Sequence, residues 1–178
     1  MKVFKPNKII YQDRNIIKIL IESVKYGNFE FIIDVEDYDK IKNFRWNVKH
    51  NKKMFYVFTR VRKNNFDSSI LLHRIILGVD NPKIQIDHKD HDGMNNKKNN
   101  LRKCSASQNQ CNVYIRSNNK SGYKGVSWCN EANKWRANIT HQYNRFHLGL
   151  FSNKIDAALA YNKAAIKYHK EFAVLNNV

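Results

Sequence analysis

Residues 84–113 constrain the fold of this 178-residue chain more than any other stretch. Ile84-Gln-Ile-Asp-His88 reads as a short strand, and Leu101-Arg-Lys-Cys104 reads as a second one. Between them runs a polar segment, 89–100, carrying Gly93 and the four asparagines Asn95, Asn96, Asn99 and Asn100. Ser105-Ala-Ser-Gln108 follows, with a capping serine and a glutamine three positions on, the pair that satisfies the free amides at a helix start. A helix is therefore expected from 106 towards 114. The order is strand, unusually long loop, strand, helix, centred on 71–115.

Charge narrows the partner. Lys and Arg number 32 against 15 Asp and Glu, a net charge of +17. Such an excess favours a polyanion, because each cation docked on a phosphate releases condensed counterions. AT-rich coding would also enrich Lys and Asn, but it would have raised Glu alongside them. The charge is spread over strands, loops and helix rather than one amphipathic helix, which argues against a membrane surface. The densest apolar run, 16–21, is far shorter than the roughly 20 residues of a membrane span. Met1 to Pro6 lacks the features of a secretory signal, so an intracellular, non-secreted protein is expected. Cys104, Cys111 and Cys129 form no C-x-x-C pair and read as reduced thiols; no structural zinc is expected.

The polar stretch 116–122 suggests two domains, 1–116 and 117–178. Upstream, strands are expected at 28–35, 44–48 and 55–61, with helical turns at 37–43 and an apolar run of undecided type at 71–77. Downstream, strands are expected at 123–128, 133–140 and 144–150, then a helix capped by Ser152. Val126, Trp128, Trp135, Ala137, Ile139, Phe146, Leu148 and Leu150 share one parity and can cover a core. The other parity holds Ser127, Arg136, Asn138, Thr140, Arg145 and His147, a polar and basic face. Ala157, Ala160, Ala164 and Ala165 would let the helix approach the sheet closely. The fold class expected is α+β, with an N-terminal β-rich layer and a C-terminal three-stranded antiparallel sheet with one helix.

The stretch 71–112 resembles the HNH endonuclease family and its ββα-metal fold. The residues that carry the likeness are His73-Arg74, Asp87-His-Lys-Asp90, Asn95-Asn96, Asn99-Asn100-Leu101-Arg102 and Ser107-Gln-Asn109. The resemblance implies that Asp87 and Asn109 hold a divalent metal, that His88 is the general base, and that Asn100 supports the loop. Asn109 stands where many members have histidine. A carboxylate and an amide oxygen suit a hard cation, Mg²⁺ first and Mn²⁺ second. A histidine with a pKa near 6.5 suits proton abstraction from water.

The stretch 123–176 resembles the AP2 DNA-binding domain, through Tyr123-Lys-Gly-Val126, Trp135-Arg-Ala-Asn-Ile139, Leu148-Gly-Leu-Phe151 and Ala173-Val-Leu-Asn176. The resemblance assigns base or phosphate contacts to Lys124, Ser127, Cys129, Asn138, Thr140, Arg145, His147 and Tyr161; strand parity adds Arg136. Together the two likenesses imply a metal-dependent nuclease for double-stranded DNA, homing-type, acting as a monomer or homodimer. The rivals are a restriction enzyme with the same chemistry, a non-catalytic DNA-binding regulator, and an RNA-binding protein. Placement of Trp128, Trp135 and Phe146 on the core parity argues against the last.

Overall fold

A computed structural model describes residues 5–178 apart from 52–53, 64–65, 114 and 116–117, and Lys63 by its backbone alone. The chain divides into two compact units, Met1–Lys103 and Cys104–Val178. The boundary expected at 116/117 falls on residues outside those described.

In the first unit, Lys8–Gln12 (β1), Ile16–Ser23 (β2) and Gly27–Asp34 (β3) pair antiparallel in that order. Side chains alternate across a strand, so Ile17, Ile19 and Ile21 of β2 and Phe31 and Ile33 of β3 are buried on one face. A 3-10 turn, Val35–Asp37, and the short helix Tyr38–Ile41 (α1) lead to a second antiparallel sheet. Its strands are Trp46–Asn51 (β4), Met54–Lys63 (β5) and Phe66–Leu71 (β6), again in chain order. Trp46, Val48 and Val57 from this sheet join the β2 and β3 residues in one core with Ile41, Leu72, Ile76, Ile86 and Leu101. The strands expected at 28–35, 44–48 and 55–61 correspond to β3, β4 and β5. β1, β2 and β6 are additional; β1 and β6 interleave polar residues, and β2 contains the apolar run 16–21, which the sequence reading takes only as too short for a membrane span.

The undecided run 71–77 splits. β6 ends at Leu71, Leu72–Ile76 is helical (α2), and Gly78 with φ of 59° turns the chain away. Gln85–His88 (β7) and Leu101–Cys104 (β8) form a two-stranded sheet around residues 89–100. The helix Ala106–Cys111 (α3) has both halves of its capping box: Ser105 accepts from the Gln108 amide, and Gln108 accepts from the Ser105 amide. It ends before 114, which lies outside the described residues.

The second unit builds a sheet in the order β11-β10-β9 from Val126–Cys129 (β9), Lys134–His141 (β10) and Asn144–Phe151 (β11). The helix Lys154–His169 (α4) buries Ala157, Ala158, Tyr161, Ala164 and Ala165. Gly125, at φ of 76°, is required twice over: a Cβ there would stand 2.1 Å from the Tyr161 ring. Asn176 exchanges hydrogen bonds with Lys124, N–H to Oδ1 at 2.6 Å and Nδ2–H to O at 3.1 Å, tying the C-terminal stretch to the entry of β9.

Two expectations are corrected here. The helix cap is Asn153, whose Oδ1 accepts from the Ile155 amide at 2.9 Å, and not Ser152. Leu150 does not share the core parity. Ala137 pairs with Gly149 but Asn138 pairs with His147, so Leu148 is an extra residue in β11. A one-residue insertion flips every side chain beyond it. Leu150 therefore stands opposite Arg136, 40 % exposed, and Phe151 takes the core side opposite Trp135. Trp128 and Phe146 keep the expected side but are only half covered; Trp128 meets Trp135 edge-on and Phe146 stacks on Tyr168. No helix among the described residues is long and apolar enough to cross a membrane.

Candidate active site

Adjacent residues at the end of β7 meet different neighbours, as strand geometry requires. Asp87 faces β8, where Arg102 donates to its Oδ2 from Nε at 2.8 Å and from Nη2 at 2.7 Å. Both side chains are nearly shielded from solvent, which makes this a strong charge-assisted pair. His88, 3 % exposed, faces a ring cluster instead. Its centroid lies 5.2 Å from His73 of α2 and 5.9 Å from Tyr56 of β5, and those two are 6.0 Å apart.

Burial pulls the His88 imidazole below its ordinary pKa, opposed in part by Asn96 and by the carboxylates of Asp90, Asp87 and Asp92. His73 is pushed down to about 3 by burial, then by His88, Arg74 and Lys49. Both rings are accordingly neutral at pH 7. Burial, and then the charge of Asp87, raises the Tyr56 phenol. Asn96 spends its Nδ2 on Gly93 O at 3.1 Å, so its Oδ1 is the atom 3.4 Å from His88 Nε2.

The loop that supports this cluster is closed by side-chain amides. Asn100 donates through Nδ2 to Asp90 Oδ1 and to Asn95 O, each at 2.8 Å, and its Oδ1 accepts from the Asp90 amide at 3.1 Å. Burial alone would raise the Asp90 carboxyl, but hydrogen bonds from Asp92, Asn100 and Asn95 hold it below the usual range. The loop is also stitched to the edge of the first sheet. The Ile32 amide of β3 donates to Met94 O at 2.9 Å, the Asn96 amide to Ile32 O at 2.8 Å, and the Lys98 amide to Asp34 Oδ2 at 2.7 Å. Gly93 lies so close to β5 that a Cβ would meet Phe55 O at 2.0 Å and the Tyr56 ring at 3.3 Å. Arg74 anchors the entry to β7, donating to Asn81 O at 2.8 Å and Ile84 O at 3.0 Å.

Asp87, His88 and Asn100 thus come together within the first unit. Asn109 lies on α3 in the second, its amide donating to Ser105 O at 3.0 Å. His73, Asn96 and Arg102 stood in the string that carries the HNH resemblance but had no role assigned; that string was the signal. Tyr56 had none, because only the tertiary fold brings β5 to β7. Among the described residues there is no group of three or more His, Cys, Asp or Glu able to hold a metal ion.

In the second unit, strand pairing sets Ser127 beside Arg136, Asn138 beside His147 and Thr140 beside Arg145 on one face. Ser127, Thr140, Arg145 and His147 are exposed; Arg136 is half-buried, with Nη2 on Cys129 Sγ and 3.6 Å from Glu131. Lys124 is set apart from that face. Its ammonium donates to Cys111 O at 2.7 Å, and burial lowers its pKa to about 8. Lys124, Asn138 and Thr140 line a cavity of about 610 Å³ together with Gly125, Tyr161 and His169.

Comparison with known proteins gives two similarities. The chain is 27 % identical over 169 residues to the uncharacterized HNH endonuclease L560 of Acanthamoeba polyphaga mimivirus, covering 89 % of this chain and 84 % of the viral protein. It is 38 % identical over 55 residues to Protein 3.8 of Escherichia phage T7, covering 31 % of this chain and 46 % of the phage protein. No family model matches.

Proposed function

We propose that this chain is an HNH-type, metal-dependent endonuclease that hydrolyses phosphodiester bonds of duplex DNA, homing-type in character, with the β9–β11 sheet as an AP2-like reader of the target. The observation that carries the reading is a buried, neutral His88 next to an arginine-held Asp87, at the end of a strand whose following loop is closed by Asn100. The similarity to a protein named HNH endonuclease supports it.

His88 is the general base: neutral at pH 7, its imidazole takes a proton from the attacking water. Asn96 Oδ1 lies beside the ring, and His73 and Tyr56 hold it in place and shield it. Arg102 orients the Asp87 carboxylate. Asn100 keeps the loop in register with the strand that carries His88. Asp87 is the proposed metal ligand, with the Asn109 carboxamide added by the family resemblance. Both are hard oxygen donors, and Mg²⁺ needs only one or two protein groups because it retains waters, so no larger cluster is required. When bound, Mg²⁺ or Mn²⁺ supplies Lewis-acid polarisation of the phosphate and steadies the leaving 3′ oxygen. Arg145, His147, Ser127, Arg136, Asn138 and Thr140 are the proposed DNA contacts of the sheet. One site per chain makes a monomer a nicking enzyme, and a double-strand break requires a homodimer or a second turnover.

The test is cleavage of supercoiled plasmid with Mg²⁺ or Mn²⁺, beside an EDTA control and His88→Ala. Loss of a general base costs roughly 10²–10⁴-fold in rate. We expect that loss in His88→Ala with duplex binding unchanged. Cleavage that survives EDTA, or that persists at wild-type rate in His88→Ala, overturns the reading.

A further inference from the structure

The second sheet of the first unit has one side in the core and the other in solvent, and the solvent side begins at the catalytic cluster. Phe55, Val57 and Thr59 of β5 face inward. The alternate residues, Tyr56, Phe58, Arg60 and Arg62, form the outer row. Strand pairing places Lys49 beside Tyr56, Asn47 and Leu71 beside Phe58, Ser69 beside Arg60 and Asp67 beside Arg62 on that same face. The row opens with Tyr56, whose ring packs on His88, and runs outward to Arg60 and Arg62, both exposed.

We infer that the outer face of β4–β5–β6 is a second DNA-binding surface, in which Lys49, Arg60 and Arg62 grip the phosphate backbone of the duplex and lead it to His88. The inference rests on the nuclease reading for its substrate and goes beyond it in assigning a binding role to residues 46–71.

Charge decides the class of partner. Among the described residues of β4–β6 the acid on this face is Asp67, and its contact with Arg62 is long at 3.9 Å with both side chains at least 74 % exposed. A pair so exposed is worth little and leaves the arginine available. Geometry decides the form of the partner. Phe58 is only half exposed, and the Lys49 ammonium lies over its ring at 5.5 Å. That covered ring is a poor platform for stacking an unpaired base, which single-strand binders need. Cations projecting from a strand instead suit phosphates, and β-sheets do lie along duplex grooves. At roughly 3.3 Å per residue the row from Tyr56 to Arg62 spans roughly 20 Å. Duplex DNA rises 3.4 Å per step, so this covers about six base pairs to one side of the scissile bond.

The experiment compares the full chain with K49Q/R60Q/R62Q and with K8Q/K18Q/K25Q, which removes equal charge from the first sheet and its turn. The readouts are the slope of log affinity for duplex DNA against log salt, and phosphate-ethylation interference around the cleavage site. Each phosphate contact contributes about 0.9 to the slope. The β4–β5 variant is expected to flatten it by about 2 to 3 and to lose interference only within about six base pairs of the cut. The first-sheet variant is expected to change the slope by less than about 1. Arg62→Gln alone, at an exposed position, should flatten it by about 0.9 and guards against misfolding of the triple variant. Wild-type binding with an unchanged slope in K49Q/R60Q/R62Q overturns the inference. So does equal flattening by the first-sheet variant, or loss of single-stranded RNA binding with duplex binding intact. A chain that binds duplex DNA with the expected flattening yet never cuts leaves this surface standing and defeats the nuclease reading instead.

Discussion

The loop of residues 89–100 and the β10–β11 hairpin each hold polar side chains in fixed positions, and they do so by opposite means. The loop is fixed from within: Asn100, Asp90 and Asn95 bond to one another, and β3 lends it a sheet edge at Ile32. Its apolar anchor is Met94, which packs against the first core; the rest of the loop is held by polar bonds. The hairpin is fixed from behind, where the alanines of α4 lie against Ala137 and Val126, and Thr140, Arg145 and His147 on its other side are exposed. On the proposed function, the difference separates chemistry from recognition. A general base must sit within tenths of an ångström of its target, which a fully bonded polar network can ensure. A reading face must remain adjustable, which exposed arginines on a rigid sheet allow.

Small residues mark the point where each device breaks first. Gly125→Ala should have the largest effect on stability, because φ is positive and the new methyl strikes the Tyr161 ring. We expect a loss of about 3 to 5 kcal/mol, read by thermal unfolding, with hydrogen exchange accelerated at residues 126–151. Asn100→Ala should cost about 2 to 4 kcal/mol by leaving Asn95 O without its donor and the Asp90 amide without its acceptor. Its exchange should accelerate at 89–100, and wild-type protection there would show that the amide network is not what holds the loop.

Acid should act on the loop side of the comparison through the buried histidines. His73 has a folded pKa of about 3, below its unfolded value near 6.5, so the unfolded chain binds the extra proton. Stability is then complete above pH 6.5 and falls as pH drops towards 3, by about 2 kcal/mol at pH 5. His73→Phe should remove most of that dependence in denaturant titrations. The smallest effect belongs to the recognition face: Arg145→Gln should reduce the salt slope of duplex binding by about 1 with stability unchanged. A slope that does not move would take the hairpin out of the interface.

Legibility in the sequence followed the range of the interactions. The capping box at Ser105 and Gln108, the paired strands around 89–100 and the alanine stripe of α4 are local patterns, and the structure has each of them. The Leu150 side was misread because a bulge leaves no trace in alternation until the partner strand is known. The AP2 likeness assigns Lys124 a DNA contact, and only the fold shows its ammonium bonded to the carbonyl of Cys111. β1 and β2 went unnoticed, although β2 supplies three of the buried isoleucines.

By itself, the sequence determined the α+β class and the strand, loop, strand, helix order of 85–111, and it singled out Asp87, His88 and Asn100 as the residues on which the proposed chemistry rests. Those follow from spacing and side-chain type, which the chain carries without folding. Only the tertiary structure decided that His88 meets Tyr56 and His73, that Arg102 takes Asp87, and that β3 steadies the loop from more than fifty positions away. These contacts depend on which faces of separate sheets come into register, a property of the packed core that no local stretch of sequence contains.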